Sequence, residues 1–419
     1  MRPELQRVLE KQGYGVVGEH TGVKLCHWTK EDLKHGRHCY KGDFYGIESR
    51  GCMQMTPIVD YCNFTCLYCW RSQSFDIDIN SKDHKWDDPE AVLDGALAQQ
   101  RRLTSGYKGH PTVEEEKWRE AQMPKHVAIS LNGEPTFYPH LGEFIALCHK
   151  RGMTTFLVTN GSRPDVLKKL DPLPTQLYVS VDAPNEEVFN KLCVPIGGGA
   201  WDKLEETLDI LPSLDCRVVA RHTLVKGWNM EEEKGHIEQY ARLDRRADPD
   251  FIESKGYVFV GYSRERMTID NMPSHEDVMA FTRKLAPLTG YELQGDRRES
   301  RVTLLVKPGV DRLLDLEGWA AKHKVEDHPP LRLANGKLLE DSDWEIALRA
   351  QGKGSAQPAA LGSNVCGCGH PHDAHLIPND ALRMAEDATA PSPASTLNVT
   401  FGSKSKPASQ GPGSCGCHH

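Results

Sequence analysis

The chain has 419 residues, a formal net charge of −8 and 38% hydrophobic residues. This length allows a full-size catalytic domain plus an appendage, and the lack of an apolar run of about 18 residues argues against a transmembrane helix. The amino-terminal stretch has no apolar signal core, so we expect a cytoplasmic protein. The 13 cysteines, an odd number, then favour metal ligation over a disulfide framework. The negative charge gives no sign of nucleic-acid binding by the whole molecule, although a local basic face is compatible with it.

Short apolar segments alternate with amphipathic segments between about residues 53 and 262. The predicted strands are 55–59, 126–131, 154–159, 177–181, 217–224 and 257–261, and the predicted helices are 89–103, 140–151, 164–170, 201–211, 231–243 and 274–288. Strand–helix repeats imply parallel strands, so we predict an α/β fold: a partial (β/α)6 barrel with its chemistry at the carboxyl ends of the strands. A doubly wound open sheet is the alternative.

Composition divides the chain into four predicted regions. Residues 1–52 form an amino-terminal extension, 53–290 the barrel, 291–350 a carboxyl-terminal cap and 351–419 a flexible tail rich in Gly, Ser, Ala and Pro. The cap has a predicted strand at 302–307 and a predicted helix at 344–350. The tail contains paired cysteines near histidines, which predict either a zinc or iron site or a tail without a specific metal. Those cysteines are Cys366, Cys368, Cys415 and Cys417.

Three cysteines, Cys62, Cys66 and Cys69, occur in one Cys-x3-Cys-x2-Cys segment. Three thiolates can hold a 4Fe–4S cubane and leave one iron open, whereas ferredoxin segments carry a fourth cysteine close by. The spacing therefore indicates chemistry at the cluster, with a zinc site completed by a distant ligand as the alternative. It resembles the signature of radical S-adenosylmethionine (SAM) enzymes, in which the open iron binds the methionine part of SAM.

Polar groups follow several of the predicted strands at their carboxyl ends. The sequence Asn-Gly-Glu-Pro-Thr after the second strand is similar to the Gly-Gly-Glu-Pro of radical SAM proteins, and its carboxylate could bind the SAM ammonium group. Groups after the third and fourth strands could bind the SAM ribose and carboxylate, with helix capping as the alternative. The candidate SAM-binding residues are Gly133, Glu134, Thr159, Asn160, Ser180 and Asp182.

A second cysteine set, Cys26, Cys39 and Cys52, has twelve residues between successive members. It predicts either a second 4Fe–4S cluster near the barrel mouth or three unrelated thiols. Lys41 stands beside Cys39, and desolvation near a cationic cluster would lower the pKa of its amine. Such an amine can form a Schiff base with a ketone. The isolated cysteines are interpreted as small buried hydrophobic residues; they are Cys148, Cys193 and Cys216.

The segment 261–266 combines Tyr262 with Arg264 and Arg266 at the end of the last predicted strand. An aromatic ring can stack on a flipped base, and arginines can bind phosphate. The segment therefore predicts nucleic-acid contact, although most basic clusters are simply solvated surface.

Taken in order, these motifs closely resemble the tRNA 4-demethylwyosine synthase family, in particular its archaeal form, because no flavodoxin-like domain precedes the predicted barrel. The resemblance covers about residues 5–350 and leaves out the tail. It implies that Cys62, Cys66 and Cys69 hold the SAM cluster. It also implies that the second cysteine set holds an auxiliary cluster that binds pyruvate, and that Lys41 forms the Schiff base.

The resemblance further implies the reaction and the partners. The expected enzyme is a carbon–carbon lyase that condenses pyruvate with N1-methylguanosine of tRNA(Phe) to form the tricyclic base 4-demethylwyosine. Its cofactors would be two 4Fe–4S clusters and SAM. An external electron donor of the flavodoxin or ferredoxin type and a monomeric state are expected.

Two alternatives follow from the same residues. One is another radical SAM enzyme with an auxiliary cluster, acting on a peptide or a small metabolite. The other is a non-enzymatic iron–sulfur electron carrier, which the Gly-Glu-Pro motif and the barrel-like strand series argue against.

Overall fold

The computed structural model describes residues 1–74, 78–79 and 84–323, which share one ten-stranded mixed sheet. The predicted helix at 344–350 and the tail cysteines lie outside the described residues. The strands are β1 Tyr14–Val17, β2 Thr21–Lys24, β3 Cys52–Thr56, β4 His126–Ile129, β5 Thr154–Thr159, β6 Gln176–Ser180, β7 Arg217–Leu224, β8 Phe251–Gly256, β9 Glu292–Arg297 and β10 Val302–Val306. No helix within this part of the chain is both long and apolar enough to cross a membrane.

Helices connect the strands and flank the sheet. They are α1 Pro3–Lys11, α2 His27–His35, α3 Tyr40–Tyr45, α4 Pro89–Ser105, α5 Glu115–Gln122, α6 Leu141–Lys150, α7 Pro164–Leu167, α8 Glu186–Leu192, α9 Ala200–Ile210, α10 His236–Ala247, α11 His275–Thr289 and α12 Leu316–Lys322. Ser274 and Asp277 form the capping box of α11 that their spacing indicates.

Strands β3 to β8 are parallel and follow chain order across the sheet. A doubly wound sheet would reverse its strand order at a switch point, so the partial barrel prediction is confirmed. The barrel is not closed, because antiparallel strands extend both ends of the parallel series. The β1–β2 hairpin pairs with β3, and β10 pairs with β8 and β9.

One predicted strand is wrong. The sixth parallel strand is Phe251–Gly256 rather than 257–261, which follows it as a loop and the start of a 3₁₀ helix, Gly261–Glu265. The sequence does not predict this strand because it contains the charged residues Glu253 and Lys255, and buried parallel strands usually lack charged residues. Helix α10 also begins later than predicted, after Gly235, whose positive φ of 67° interrupts the preceding turn.

Side-chain alternation along the strands separates two cores. Leu157 and Val179 belong to the core packed against the helices, whereas Phe156 and Tyr178 face the barrel interior with Phe251. Successive strand residues point to opposite faces, so the aromatic layer fills the base of the barrel and the next interior positions remain available to a cavity above it.

A buried ion pair supports the outer face of β7. His222 Nε2 lies 3.1 Å from Asp244 Oδ2, and both side chains are fully buried. His222 Nδ1 lies 2.8 Å from the carbonyl oxygen of Val181. Burial opposes the charged imidazole, but the Asp244 carboxylate, the Val181 carbonyl oxygen and Asp182 together outweigh it and raise the pKa of His222.

We expect His222→Gln to destabilise the protein by about 3 kcal/mol at acid pH, because it leaves Asp244 without its charge partner. The folded-state pKa is raised, so the stabilisation is fully present below the unfolded pKa near 6.5 and is lost as pH rises through the folded value. Urea unfolding midpoints between pH 6 and 9 measure this, with the exposed His140→Gln as control. If the loss of stability of His222→Gln relative to wild type does not decrease towards pH 9, the charged pair is contradicted.

Candidate active site

A cavity of about 510 Å³ opens at the carboxyl ends of the parallel strands. Its wall contains every residue that the sequence analysis selected for the two clusters, the Schiff base and SAM binding. These are Cys26, Cys39, Lys41, Cys52, Cys62, Cys66, Cys69, Gly133, Glu134, Thr159, Asn160, Ser180 and Asp182. The fold therefore brings together two cysteine sets that are separate in the sequence.

The two cysteine sets reach this cavity from different elements. Cys26 and Cys39 immediately precede helices α2 and α3, and Cys52 begins β3. Cys62 and Cys66 belong to the loop after β3. All six thiols of the two sets are free and partly buried, so both sets offer soft sulfur ligands to one space.

The chemistry of the donor set fits iron–sulfur clusters, because both sets consist of free thiols, the ligands that hold such clusters. Burial raises the pKa of Cys39 to about 12 and that of Cys52 to about 11, and ligation of iron therefore releases their protons.

Backbone contacts hold the Cys62–Cys69 loop in place. Thr65 N donates to the Val194 carbonyl oxygen at 3.0 Å, and Leu67 N donates to the Leu192 carbonyl oxygen at 3.0 Å. Arg266 Nε donates to the Leu67 carbonyl oxygen at 3.2 Å, and its second nitrogen donates to the Cys69 carbonyl oxygen.

The segment 261–266 also makes contacts within the protein, and the nucleic-acid contact suggested by its sequence stays a prediction. Arg266 holds the cysteine loop, and Arg264 Nε donates to the Phe259 carbonyl oxygen at 3.2 Å. Tyr262 N donates to the Trp70 carbonyl oxygen at 3.1 Å. Several of these contacts join residues far apart in the sequence, which a residue pattern of aromatic and basic side chains does not reveal.

Gly133 allows the Gly-Glu-Pro turn to approach the cysteine loop closely. Its φ is +74°, and a Cβ atom there would lie 1.9 Å from the Ile58 carbonyl oxygen. A side chain would therefore meet both an unfavourable backbone conformation and a rigid backbone atom.

The buried Glu134 carboxylate joins the ends of β4 and β5. Its Oε1 accepts from Thr136 Oγ1 at 2.6 Å and from Thr159 Oγ1 at 2.7 Å, and its Oε2 accepts from Asn160 N at 2.8 Å. Burial outweighs these bonds and raises the pKa of Glu134. The turn is thus fixed by its own carboxylate, and Oε2 keeps an acceptor position beside the cavity.

Asp182 connects the cysteine loop to β7. Its Oδ2 accepts from Tyr68 Oη at 2.6 Å, and its Oδ1 accepts from Thr223 N at 2.6 Å. Burial raises the pKa of Asp182. Cys193 is buried, as the sequence analysis expects, and it lies in the cavity wall with its Sγ 3.8 Å from Tyr68 Oη.

Lys41 lies on α3 against the aromatic base of the barrel. Its Nζ is 4.7 Å from the ring centroid of Tyr178 and 5.0 Å from that of Phe156. Arg221 and Lys255 are among the five further Lys and Arg residues that line the same cavity. Sequence reasoning missed Lys255 because it did not find β8. Once that strand is known, the alternation of side chains places Lys255 on the same face as Phe251 and Glu253, which is the face towards the barrel interior.

We expect Gly133→Ala to lower the iron content of the Cys62–Cys69 site at least several-fold, because the added Cβ displaces the loop backbone. Gly198→Ala is the matched control, since its Cβ would meet no atom within 4 Å and its φ is not positive. Iron per chain after anaerobic reconstitution measures the effect. Equal iron content in both variants would show that the close approach does not matter.

We expect Arg266→Gln to speed the loss of iron from the same site about tenfold or more, because bonds from a charged donor to two loop carbonyls are lost. Arg266→Lys should retain part of the effect. Arg264→Gln is the control, since Arg264 bonds Phe259 outside the loop. The decay of cluster absorbance in an iron chelator gives the rates, and identical rates for the Arg264 and Arg266 variants would refute the contact's role.

Comparisons with known proteins agree with this geometry. A family model described as Radical SAM superfamily matches residues 56–239, and one described as Wyosine base formation matches residues 246–307. The chain is 45% identical over 315 residues to the S-adenosyl-L-methionine-dependent tRNA 4-demethylwyosine synthase of Pyrococcus abyssi, covering 74% of this chain and 91% of that relative. The synthase of Methanocaldococcus jannaschii is 42% identical over 308 residues, covering 72% and 95%.

Solved structures give the same result. A structure of TYW1 with a lysine–pyruvate adduct bound has a TM-score of 0.67 and 38% identity, and the match covers 75% of this chain and 99% of that one. A crystal structure of archaeal TYW1 has a TM-score of 0.61 and 37% identity, covering 75% and 100%. The radical SAM superfamily implies a 4Fe–4S cluster and SAM, which fit the free thiols of the cavity. The chain therefore belongs to the tRNA 4-demethylwyosine synthase family of radical SAM enzymes.

Proposed function

We propose that this chain condenses pyruvate with N1-methylguanosine of tRNA(Phe) to form 4-demethylwyosine, and so acts as a carbon–carbon lyase. The observation that carries the proposal is the single cavity onto which both cysteine sets and Lys41 open. The synthases that share 42–45% identity with this chain carry the same activity in their names.

Cys62, Cys66 and Cys69 would hold the SAM cluster, and Cys26, Cys39 and Cys52 an auxiliary cluster. With SAM bound, the first cluster would supply the electron that cleaves SAM reductively, and the radical released from SAM would remove a hydrogen atom from the unactivated methyl group of the base. The second set stands on the extension and at the start of β3, so its metal would face the same space from another side.

The ends of β4, β5 and β6 would position SAM. Glu134 Oε2 accepts only the Asn160 amide among the described contacts, which leaves it able to accept from the SAM ammonium group. Gly133, Thr159, Ser180 and Asp182 share that cavity wall and would complete the SAM contacts.

Lys41 would hold pyruvate. Its amine attacks the ketone carbon, water leaves, and the imine keeps the three-carbon unit beside the second cysteine set. The aromatic rings of Phe156 and Tyr178 beneath Lys41 limit the directions from which water can reach it. The lysine–pyruvate adduct described for the related TYW1 structure supports this assignment.

The remaining expectations are also part of the proposal. Residues 1–52 would act as the extension that supplies the auxiliary ligands, 53–290 as the barrel, 291–350 as the cap and 351–419 as a tail outside the reaction. An external electron donor of the flavodoxin or ferredoxin type would reduce the cluster of a monomeric, cytoplasmic protein.

The test incubates reduced, reconstituted protein with N1-methylguanosine-containing tRNA(Phe), SAM and pyruvate, and identifies nucleosides by mass. Wild type should carry about eight irons, corresponding to two cubanes, and form the tricyclic base. Cys62→Ala should abolish SAM cleavage, whereas Cys26→Ala should still cleave SAM but form no tricycle. Lys41→Ala should likewise form no tricycle.

Cys216→Ala is the control, because Cys216 is only partly buried and is not part of the cavity wall; it should keep both activities. A tricycle formed by the Cys26 variant would remove the auxiliary site from the proposal. A tricycle formed at the wild-type rate by the Lys41 variant would remove the Schiff base.

A further inference from the structure

We propose that Arg221 and Lys255 form a binding site for the carboxylate of the keto-acid substrate, next to Lys41. This inference rests on the proposed function and extends it, because it assigns the anionic end of that substrate to two residues of the barrel wall. Its grounds are strand register, unpaired charge and the shape of a 2-oxo acid.

Strand register directs these side chains into the cavity. Arg221 pairs with Glu253, and Thr223 pairs with Lys255, across the parallel β7–β8 ladder. Phe251 belongs to the interior core, so alternation points Glu253 and Lys255 to the same face. Arg221 and Lys255 therefore lie on adjacent strands, above the aromatic layer.

Both cations lie close to the surroundings of Lys41. The guanidinium carbon of Arg221 is 5.2 Å from the ring centroid of Tyr178, the ring that Lys41 also contacts. Lys255 Nζ is 4.9 Å from the ring centroid of Tyr40, the residue before Lys41 in the chain. Aromatic faces can stabilise cations, but they do not neutralise their charge.

Positive charge exceeds negative charge at this wall. Within residues 1–74, 78–79 and 84–323, Lys41, Arg221 and Lys255 have no carboxylate within the 4.0 Å of an ion pair, although other cations of the chain do, such as Lys307 with Asp248. Glu253 is the carboxylate that pairs with Arg221 across the β7–β8 ladder.

That carboxylate is already occupied by hydroxyl groups. Glu253 Oε1 accepts from Tyr45 Oη at 2.7 Å, and Oε2 accepts from Tyr40 Oη at 3.3 Å. An anion beside Arg221 and Lys255 would therefore be stabilised, because both cations are only partly exposed and neither has a carboxylate partner in the described part of the chain.

A 2-oxo acid meets this requirement. Its ketone carbon is bonded directly to the carboxylate carbon, so a Lys41 amine that attacks the ketone places the carboxylate within about one bond length of the reacting carbon. Arginine binds carboxylates through two parallel hydrogen bonds, and lysine adds a compact charge. The carboxylate of SAM has the same chemistry, but the Tyr40 and Tyr178 contacts place both cations beside Lys41.

The experiment uses full-length, anaerobically reconstituted protein with pyruvate and cyanoborohydride, without SAM or tRNA. The Lys41 amine adds to the ketone, water leaves, and hydride from the borohydride reduces the imine to a stable amine that intact-protein mass detects. We expect Arg221→Gln and Lys255→Met to raise the half-saturating pyruvate concentration at least tenfold. Excess pyruvate should restore the adduct, and Arg221→Lys should recover part of the affinity.

Methyl pyruvate provides the discriminating arm, because it keeps the ketone and lacks the negative charge. Wild type should prefer pyruvate, and both variants should lose that preference. Lys226→Met is the control, since Lys226 is exposed and faces Asp277; it should behave as wild type. The comparison of pyruvate with methyl pyruvate can be made on the wild-type protein alone. The inference can therefore be refuted even if a variant fails to fold.

Four results would overturn the inference. Wild type that treats the two ketones alike, or variants that keep the wild-type preference, would leave the proposed function intact and refute the carboxylate site. Variants that lose SAM binding in equilibrium dialysis, with pyruvate affinity unchanged, would assign the cations to the SAM carboxylate. Absence of any wild-type adduct would refute the Lys41 assignment as well.

Discussion

The cavity depends on the antiparallel pairing of β2 (Thr21–Lys24) with β3 (Cys52–Thr56). This short ladder joins the amino-terminal extension to the first parallel strand. Cys26 follows β2 after one residue, and Cys52 begins β3, so the same ladder sets the positions of both. The loop after β3 then carries the other cysteine set. One pairing therefore brings the two cysteine sets to the same cavity.

Buried carboxylates stabilise the rim of this cavity by linking neighbouring strand ends. Glu134 joins β4 to β5, Asp182 joins the cysteine loop to β7, and Glu253 joins β8 to the tyrosines of α3. Each of these carboxylates accepts at least one hydrogen bond from a residue far away in the sequence. Such hydrogen bonds lower the free-energy cost of burying a polar group. Among the described residues, Arg221 and Lys255 beside Lys41 have no carboxylate ion-pair partner, and in this they differ from the buried carboxylates.

The sequence predicted those parts of the molecule that follow from local pattern. Cysteine spacing, the Gly-Glu-Pro turn and the alternating strands identified the partial barrel and the residues of its cavity. It failed where tertiary context decides. Strand β8 carries the buried Glu253 and the partly buried Lys255, which the barrel interior accepts because it is polar at that level. Arg266 looks like a surface cation, and only the folded chain brings its guanidinium to the carbonyls of a loop 197 residues away.

The contact between Arg266 and the Cys62–Cys69 loop limits how proteins of this family can exchange their carboxyl-terminal segments. Arg266 lies in the segment that matches the wyosine model, whereas the loop that it holds lies in the segment that matches the radical SAM model. The two segments are thus mechanically continuous, and the carboxyl-terminal one cannot be exchanged as an independent specificity module. A chimaera that joins this barrel to the corresponding segment of a distant superfamily member would inherit a loosened metal loop, whatever substrate its new segment recognised.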